Sequence, residues 1–136
     1  MKQMVELLML MLMLMVVGCG DKDNPISSED TELPTTTTLT VVNDLSYSGF
    51  SWTIYNIYIS PVSNNTWGTD RLGAAETLRF GWKKTFTLST GKYDLKAVDE
   101  DGDCYYLVDQ TIRSNSTWTV NLSSRDTDCS AGKLVA

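Results

Sequence analysis

The feature that most constrains the fold is a two-residue alternation of apolar and polar side chains, which recurs in short segments from residue 40 to residue 122. In segment 92–99, for example, Tyr93, Leu95 and Ala97 alternate with charged residues. Successive side chains of a β-strand point to opposite faces, so this pattern indicates a strand with one buried face. About seven such segments, with turns between them and no helical period, predict an all-β fold, a small antiparallel β-sandwich.

Some of the predicted strands carry specific expectations. Segment 50–60 has apolar residues at both odd and even positions, so both faces of the strand would carry them. This pattern predicts a central strand with neither face fully exposed. The Asp-Gly pair at 101–102 predicts a hairpin. Trp52, Trp82 and Trp118 fall within predicted strands, where a small core usually takes up large rings. The predicted strands are 39–43, 50–60, 77–80, 82–88, 92–99, 103–110 and 117–122.

The first residues carry a different signal. One lysine, Lys2, precedes an unbroken apolar run at 7–17. As a helix this run would be roughly 16 Å long, whereas a bilayer core is about 30 Å thick. The run is therefore too short for a stable transmembrane helix and predicts the hydrophobic region of a secretory signal.

The residues that end this run, Val16-Val17-Gly18-Cys19, resemble the lipobox of bacterial lipoproteins. The resemblance implies that 1–18 is a signal peptide, removed after the Cys19 thiol receives diacylglycerol. Two or more acyl chains, palmitate among them, hold a protein durably in a membrane. The implied location is the cell envelope, with the membrane as partner through the lipid anchor. Because Gly20 follows the cysteine, where Asp would signal retention at the inner membrane, the outer membrane is favoured in a Gram-negative cell. The alternatives are an ordinary signal peptide and an uncleaved apolar helix.

Segment 19–38 is polar, acidic and rich in threonine. Such a composition cannot bury enough apolar surface to offset the entropy of ordering, so it predicts a disordered linker. An alternative is that the threonine run carries O-linked sugar. The sandwich domain is then expected to occupy 39–136.

A second resemblance lies inside the predicted domain. The stretch LSTGKYDLKA at 88–97 resembles the strand-turn-strand of small immunoglobulin-like and carboxypeptidase-regulatory-like domains. Segments 58–61, 67–73 and 97–103 are similar to a short β domain of uncharacterised bacterial secreted proteins. This resemblance covers about residues 40 to 122 and implies an immunoglobulin-like sandwich, without implying an activity.

The cysteines predict a disulfide. Once Cys19 is assigned to lipid, Cys104 and Cys129 remain as an even pair in an oxidising compartment. Closing a loop of this length is expected to stabilise the fold by roughly 3 kcal/mol. Two free thiols are the alternative.

Composition excludes several classes of function. The chain has 136 residues, 11 Lys plus Arg, 17 Asp plus Glu and no His, for a formal net charge of -6. Without His, Ser-His-Asp and Cys-His nucleophilic sites are excluded, and an acidic chain lacks the positive surface that nucleic acid requires. The chain is therefore predicted to be neither an enzyme nor a nucleic-acid-binding protein. We expect a non-catalytic binding or structural module with a protein or glycan partner at the envelope.

One acidic cluster raises the question of a metal. Asp99, Asp101 and Asp103 alternate around Gly102, and Ca²⁺ takes carboxylate oxygens where glycine lets the backbone fold around it. The spacing of an EF-hand is not met, and acids are also common in plain turns. The sequence leaves open a simple hairpin turn or a calcium-dependent adhesion-type module, and it indicates no other cofactor.

Trp67 is the candidate ligand contact. It lies in the polar loop 62–73, beside Asn64, Asn65 and Asp70. β-Sandwich lectins stack sugars on exposed rings of this kind. Trp67 with nearby tyrosines therefore predicts a carbohydrate-binding module, with local packing of the ring as the alternative.

Overall fold

The structure, a computed structural model, describes residues 35–127, 129 and 132–133. By its internal contacts the chain divides into two units, Met1–Thr31 and Glu32–Ala136. The described residues belong to the second unit. The predictions for the signal peptide at 1–18, for Cys19 and for the linker up to residue 34 lie outside the described residues.

The described residues form β-strands joined by turns, with one 3₁₀ turn at Leu122–Ser124 and no α-helix among them. Two sheets enclose a single apolar core, so the predicted all-β sandwich is confirmed. The strands are β1 Thr36–Asn43, β2 Ser46–Tyr47, β3 Phe50–Ser51, β4 Ile54–Pro61, β5 Lys83–Ser89, β6 Gly91–Asp99, β7 Cys104–Ile112, β8 Ser116–Val120 and β9 Arg125–Asp126.

The two main sheets differ in their strand pairing. The three-stranded sheet has the order β5-β1-β8, in which β1 pairs antiparallel with β5 but parallel with β8. That parallel pair is a departure from the expected antiparallel arrangement. The four-stranded sheet has the order β4-β6-β7-β9 and is antiparallel throughout. The short strands β2 and β3 form a separate hairpin.

The core lies between the inner faces of the two sheets. In β6 the alternation read from the sequence is confirmed, since Tyr93, Leu95 and Ala97 are buried against the opposite sheet. Trp118 is also buried, as predicted, on β8. Because successive β6 side chains alternate between faces, Lys92, Asp94, Lys96 and Val98 lie on the outer face of the four-stranded sheet.

The first strand begins earlier than expected. β1 starts at Thr36, so residues 36–38 of the predicted linker belong to the sheet, paired with β5 from Thr36 opposite Ser89. Threonine is β-branched and fits a pleated surface well. A linker prediction from polar composition therefore fails at these three threonines.

The predicted strand 50–60 is in fact two strands, β3 and β4, and β4 is the edge of its sheet rather than the centre. Its outer side is nevertheless covered, because loop 62–73 folds back on it. The backbone N–H of Arg71 donates to the carbonyl of Ile57 at 2.7 Å. A loop bonded to an exposed edge in this way also blocks pairing with another chain.

Residues 77–82 differ most from the expectation. The predicted strand 77–80 is reduced to one bridge, between Leu78 and Ile54. A turn follows, in which the Trp82 N–H donates to the Arg79 carbonyl at 3.0 Å and Gly81 has a φ of 75°. The turn rotates Trp82 away from the core and leaves it 59% exposed. The prediction that its ring is buried is therefore wrong.

Candidate functional site

Three aromatic rings surround one lysine on the outer face of the four-stranded sheet. Strand register pairs Tyr58 with Lys96 and Lys96 with Tyr106, so these side chains lie side by side, and Trp67 joins them from loop 62–73. The Lys96 ammonium is 5.7 Å from the centroid of each ring. A cation within about 6 Å of an aromatic face is attracted to it. We call Lys96 and these three rings the ring cluster.

The ring cluster is partly shielded from water. Burial lowers the pKa of Lys96 from its ordinary 10.5, because desolvation disfavours the charged form. The rings of Trp67 and Tyr106 are 5.6 Å apart and tilted by 37°. The Trp67 indole N–H is buried and has no hydrogen-bond partner among the described residues. A buried donor without a partner is costly, so this atom is a candidate contact for a ligand.

Asp70 positions the loop that carries Trp67. One of its carboxylate oxygens accepts the backbone N–H of Ile57 at 2.9 Å, and the other accepts from the side-chain amide of Asn56 at 3.0 Å. A serine hydroxyl of β4 donates to the carbonyl of Thr66 at 2.7 Å. These bonds fix the loop on both sides of Trp67. The ring is therefore held against the sheet rather than left free in solvent.

The C-terminal residues are fastened to the same face. The predicted disulfide between Cys104 and Cys129 is confirmed, with a Cα–Cα distance of 5.5 Å. Farther on, the Lys133 ammonium lies 3.1 Å from a carboxylate oxygen of Asp94, and the two side chains are 1% and 8% exposed. The same ammonium donates to the Ser60 hydroxyl at 3.1 Å. No local sequence signal marks this buried ion pair, and sequence reasoning missed it.

A pocket of about 220 Å³ lies between loop 62–73 and the C-terminal residues. Its apolar lining comes from Trp67, Tyr106 and Val108, and its charged lining from Asp94, Asp126 and Lys133. Val108 is at a β-bulge of β7, where the register against β6 shifts between Tyr93 and Leu95. Bulges often occur next to binding sites, because they redirect one side chain out of the regular strand pattern.

The acidic turn uses its carboxylates in protein contacts. One Asp99 oxygen accepts the backbone N–H groups of Asp101 and Asp103, at 3.0 and 2.9 Å, and the other accepts the Tyr105 hydroxyl at 2.8 Å. Asp101 accepts from the Trp52 indole at 2.8 Å, and Asp103 is ion-paired with an arginine of β9. Among the described residues no group of three or more metal-ligating side chains meets. Calcium binding by Asp99, Asp101 and Asp103 stays a prediction.

Tyr105 shows the electrostatics of that turn. Burial raises the pKa of its hydroxyl well above 10.0, and the hydrogen bond to Asp99 and the charge of that carboxylate raise it further. The hydroxyl is therefore a permanent donor at neutral pH. The Asp99–Tyr105 pair fastens the hairpin between β6 and β7.

A second group of rings lies at one end of the sandwich. Tyr47 and Phe50 face each other across the β2–β3 hairpin and are 69% and 71% exposed. Phe80 and Trp82 are exposed in the turn before β5. The backbone of Gly81 in that turn bonds to Asn43, the last residue of β1, which places both groups at the same end. We call these four rings the tip rings.

The side chain of Asn43 joins the backbone segments at this end of the molecule by hydrogen bonds. It is fully buried, and its amide donates to the carbonyls of Trp52 at 2.9 Å and Leu78 at 2.8 Å. Its side-chain oxygen accepts the N–H of Leu45 at 2.9 Å. One buried side chain therefore connects β1 to the backbone on either side of the hairpin and to the bridge beside β4.

Comparisons with models of protein families, with curated proteins and with solved structures found no match. In the part of the chain that the structure describes, no helix is long and apolar enough to cross a membrane.

Proposed function

We propose that the protein is a lipid-anchored lipoprotein outside the cytoplasm, whose β-sandwich is a non-catalytic binding module for another protein of the envelope. The lipobox-like residues 16–19 support an anchor at Cys19 and, in a Gram-negative cell, the outer membrane. The disulfide between Cys104 and Cys129 supports an oxidising compartment, because such bonds are rare in the cytosol. The lack of His in the chain supports a non-catalytic role.

The exposure of the tip rings is the observation that carries the binding role. Protein interfaces are enriched in tyrosine, tryptophan and phenylalanine, and such rings supply most of the binding energy when a partner covers them. Ser48 and Gly49, between Tyr47 and Phe50, both have positive φ, as in the tight turns preferred by hairpins. A preformed hairpin loses little conformational entropy on binding.

Strand β1 runs from the point where the chain enters the sandwich toward the tip rings. The strand begins at Thr36 and ends at Asn43, so its eight residues span about 26 Å between the entry of the chain and the tip rings. The tip rings and the point where the chain enters the sandwich therefore lie at opposite ends of β1, which leaves the rings clear of the entering chain.

The anchor is tested by the mass of the full chain extracted from membranes. We expect a protein that starts at Cys19 and carries the added mass of diacylglycerol and a further acyl chain. Cys19→Ser should abolish the added mass and release the protein from the membrane. A polypeptide intact from Met1 with an unmodified thiol at Cys19 would contradict the proposal.

The binding role is tested by site-specific photo-crosslinking in the producing bacterium. A photoreactive phenylalanine at position 50 should give one discrete protein adduct. The same probe at position 55 is the control, because Tyr55 is also exposed but lies on β4. Support requires that the adduct is identified, that the purified partner rebinds the full chain, and that Trp82→Ala weakens this binding. Equal labelling from positions 50 and 55 would refute a specific interface at the tip.

A further inference from the structure

We propose that the pocket beside the ring cluster binds a single neutral pyranose unit of a polysaccharide. The proposal adds a second binding surface and rests on the proposed location outside the cytoplasm, where envelope and extracellular polysaccharides are within reach. It also gives a function to the ring cluster and to the C-terminal residues beside it, neither of which belongs to the tip rings.

The size of the pocket sets the size of the ligand. Pockets for drug-sized molecules usually measure about 300 to 1,000 Å³, whereas a cavity of about 150 Å³ is enough to hold benzene. A volume of about 220 Å³ lies between these and fits one six-membered ring with its substituents.

The lining sets the chemistry of the ligand. Trp67 and Tyr106 present aromatic surface, and Val108 adds an exposed apolar side chain at the bulge. A pyranose has an apolar face of C–H groups that packs on such surface, and a rim of hydroxyls that both donate and accept. The carboxylate of Asp94, on one wall of the pocket, can accept from such hydroxyls, whereas the Lys133 ammonium already donates within the protein to Asp94, Ser60 and the Pro61 carbonyl.

The Trp67 indole N–H gives support for a ligand in this pocket that is separate from the volume and the apolar lining. It is buried without a hydrogen-bond partner among the described residues, although Asp70 and Thr66 hold its loop in place. A fixed donor that the fold does not satisfy is suited to donate a hydrogen bond to a ligand oxygen on binding. Ligand pockets typically combine such a polar group with aromatic walls.

The charge of the lining favours a neutral sugar. Asp94 and Lys133 neutralise each other, so this ion pair offers no net positive charge to the carboxylate of a uronic acid. The four-stranded sheet contributes Lys96, but its ammonium is already held among the three rings of the cluster.

The test is saturation-transfer NMR on the full chain in a detergent without a sugar headgroup. The probes are the methyl glycosides of glucose, galactose, mannose and N-acetylglucosamine at millimolar concentration, with methyl glucuronide as the anionic comparison. We expect transfer to at least one neutral glycoside. Trp67→Ala should abolish it, and Trp67→Phe, which keeps a ring but removes the N–H, should weaken binding roughly 2- to 10-fold.

Two further variants keep the test decisive. Val108→Trp fills the pocket from an exposed position without truncating the ring cluster, and should also abolish transfer if Trp67→Ala fails to fold. Trp82→Ala removes an indole at the tip and should leave transfer unchanged. The proposal is overturned if no neutral glycoside shows transfer, if glucuronide alone does, or if Trp82→Ala rather than Trp67→Ala removes the signal. Because crosslinking at position 50 concerns a different surface, failure of either test leaves the other result intact.

Discussion

Replacing Asp99 by alanine tests whether the acidic turn is a structural fastening. Asp99 is 3% exposed, and its carboxylate accepts three hydrogen bonds, two from backbone N–H groups and one from the Tyr105 hydroxyl. The backbone donors of Asp101 and Asp103 can turn to water when the carboxylate is lost, at a cost of about 1 kcal/mol each. The hydroxyl of Tyr105 is in a buried residue, and leaving it without its partner costs about 1 to 3 kcal/mol more.

We therefore expect Asp99→Ala to lower the free energy of unfolding by about 3 to 5 kcal/mol, a large fraction of the 5 to 15 kcal/mol typical of small proteins. Urea unfolding of the full chain, followed by tryptophan fluorescence, measures this as a midpoint shift of about 2 M. Asp101→Ala is the matched control, since it removes one carboxylate from the same turn. It loses only an exposed bond to the Trp52 indole and should cost less than about 1.5 kcal/mol.

A double-mutant cycle isolates the central contact of this argument. Tyr105→Phe alone removes one donor and should cost about 1 kcal/mol, and in the Asp99→Ala background it should cost little or nothing. If Asp99→Ala costs no more than Asp101→Ala, the proposed fastening is refuted. If added Ca²⁺ raises the wild-type midpoint and Asp99→Ala removes that effect, calcium is the role of the turn instead.

Three further predictions concern the same sheet. Cys104→Ser with Cys129→Ser should lower the free energy of unfolding by about 3 kcal/mol, since a loop closed at a sequence separation of 25 is released; reductant added to the wild type should match it in urea unfolding. Lys133→Met leaves the buried carboxylate of Asp94 without its cation and should cost up to about 3 to 5 kcal/mol, part of which Asp94→Asn in the same chain should restore in thermal melts. The raised pKa of Tyr105 means that the folded state keeps its proton at a pH where the unfolded chain has lost it; stability should be retained below pH 10.0 and fall as the pH rises above it, and this fall should be smaller in Tyr105→Phe.

Local patterns in the sequence predicted the parts of the fold that depend on neighbours along the chain. The alternation in β6 identified the buried residues Tyr93 and Leu95, because the period of a strand is the same wherever it lies. The Asp-Gly pair at 101–102 identified the hairpin, since Gly102 has the positive φ that the turn requires. The disulfide followed from the count of cysteines.

The sequence could not predict what depends on distant chain segments. The edge position of β4 was missed because loop 62–73 covers its outer side, which gives the strand the apolar pattern of a central one. Trp82 was misplaced because the turn at Gly81 shifts it out of phase with β5. The pairing of Lys133 with Asp94 joins residues that no periodicity relates, so one half of the pocket wall had no signal in the sequence.

The tip rings and the pocket are held in place by different interactions, so one small sandwich can present two separate binding surfaces. The tip rings depend on the neutral hydrogen bonds of Asn43 at one end of the sheets. The ion pair in the wall of the pocket is at Asp94, which lies five residues along β6 from Asp99, or about 17 Å from the tip end. Sites separated by more than about 10 Å without shared partners contribute additively to stability. A change that loosens the pocket wall should therefore leave the tip able to bind, and the reverse should hold as well.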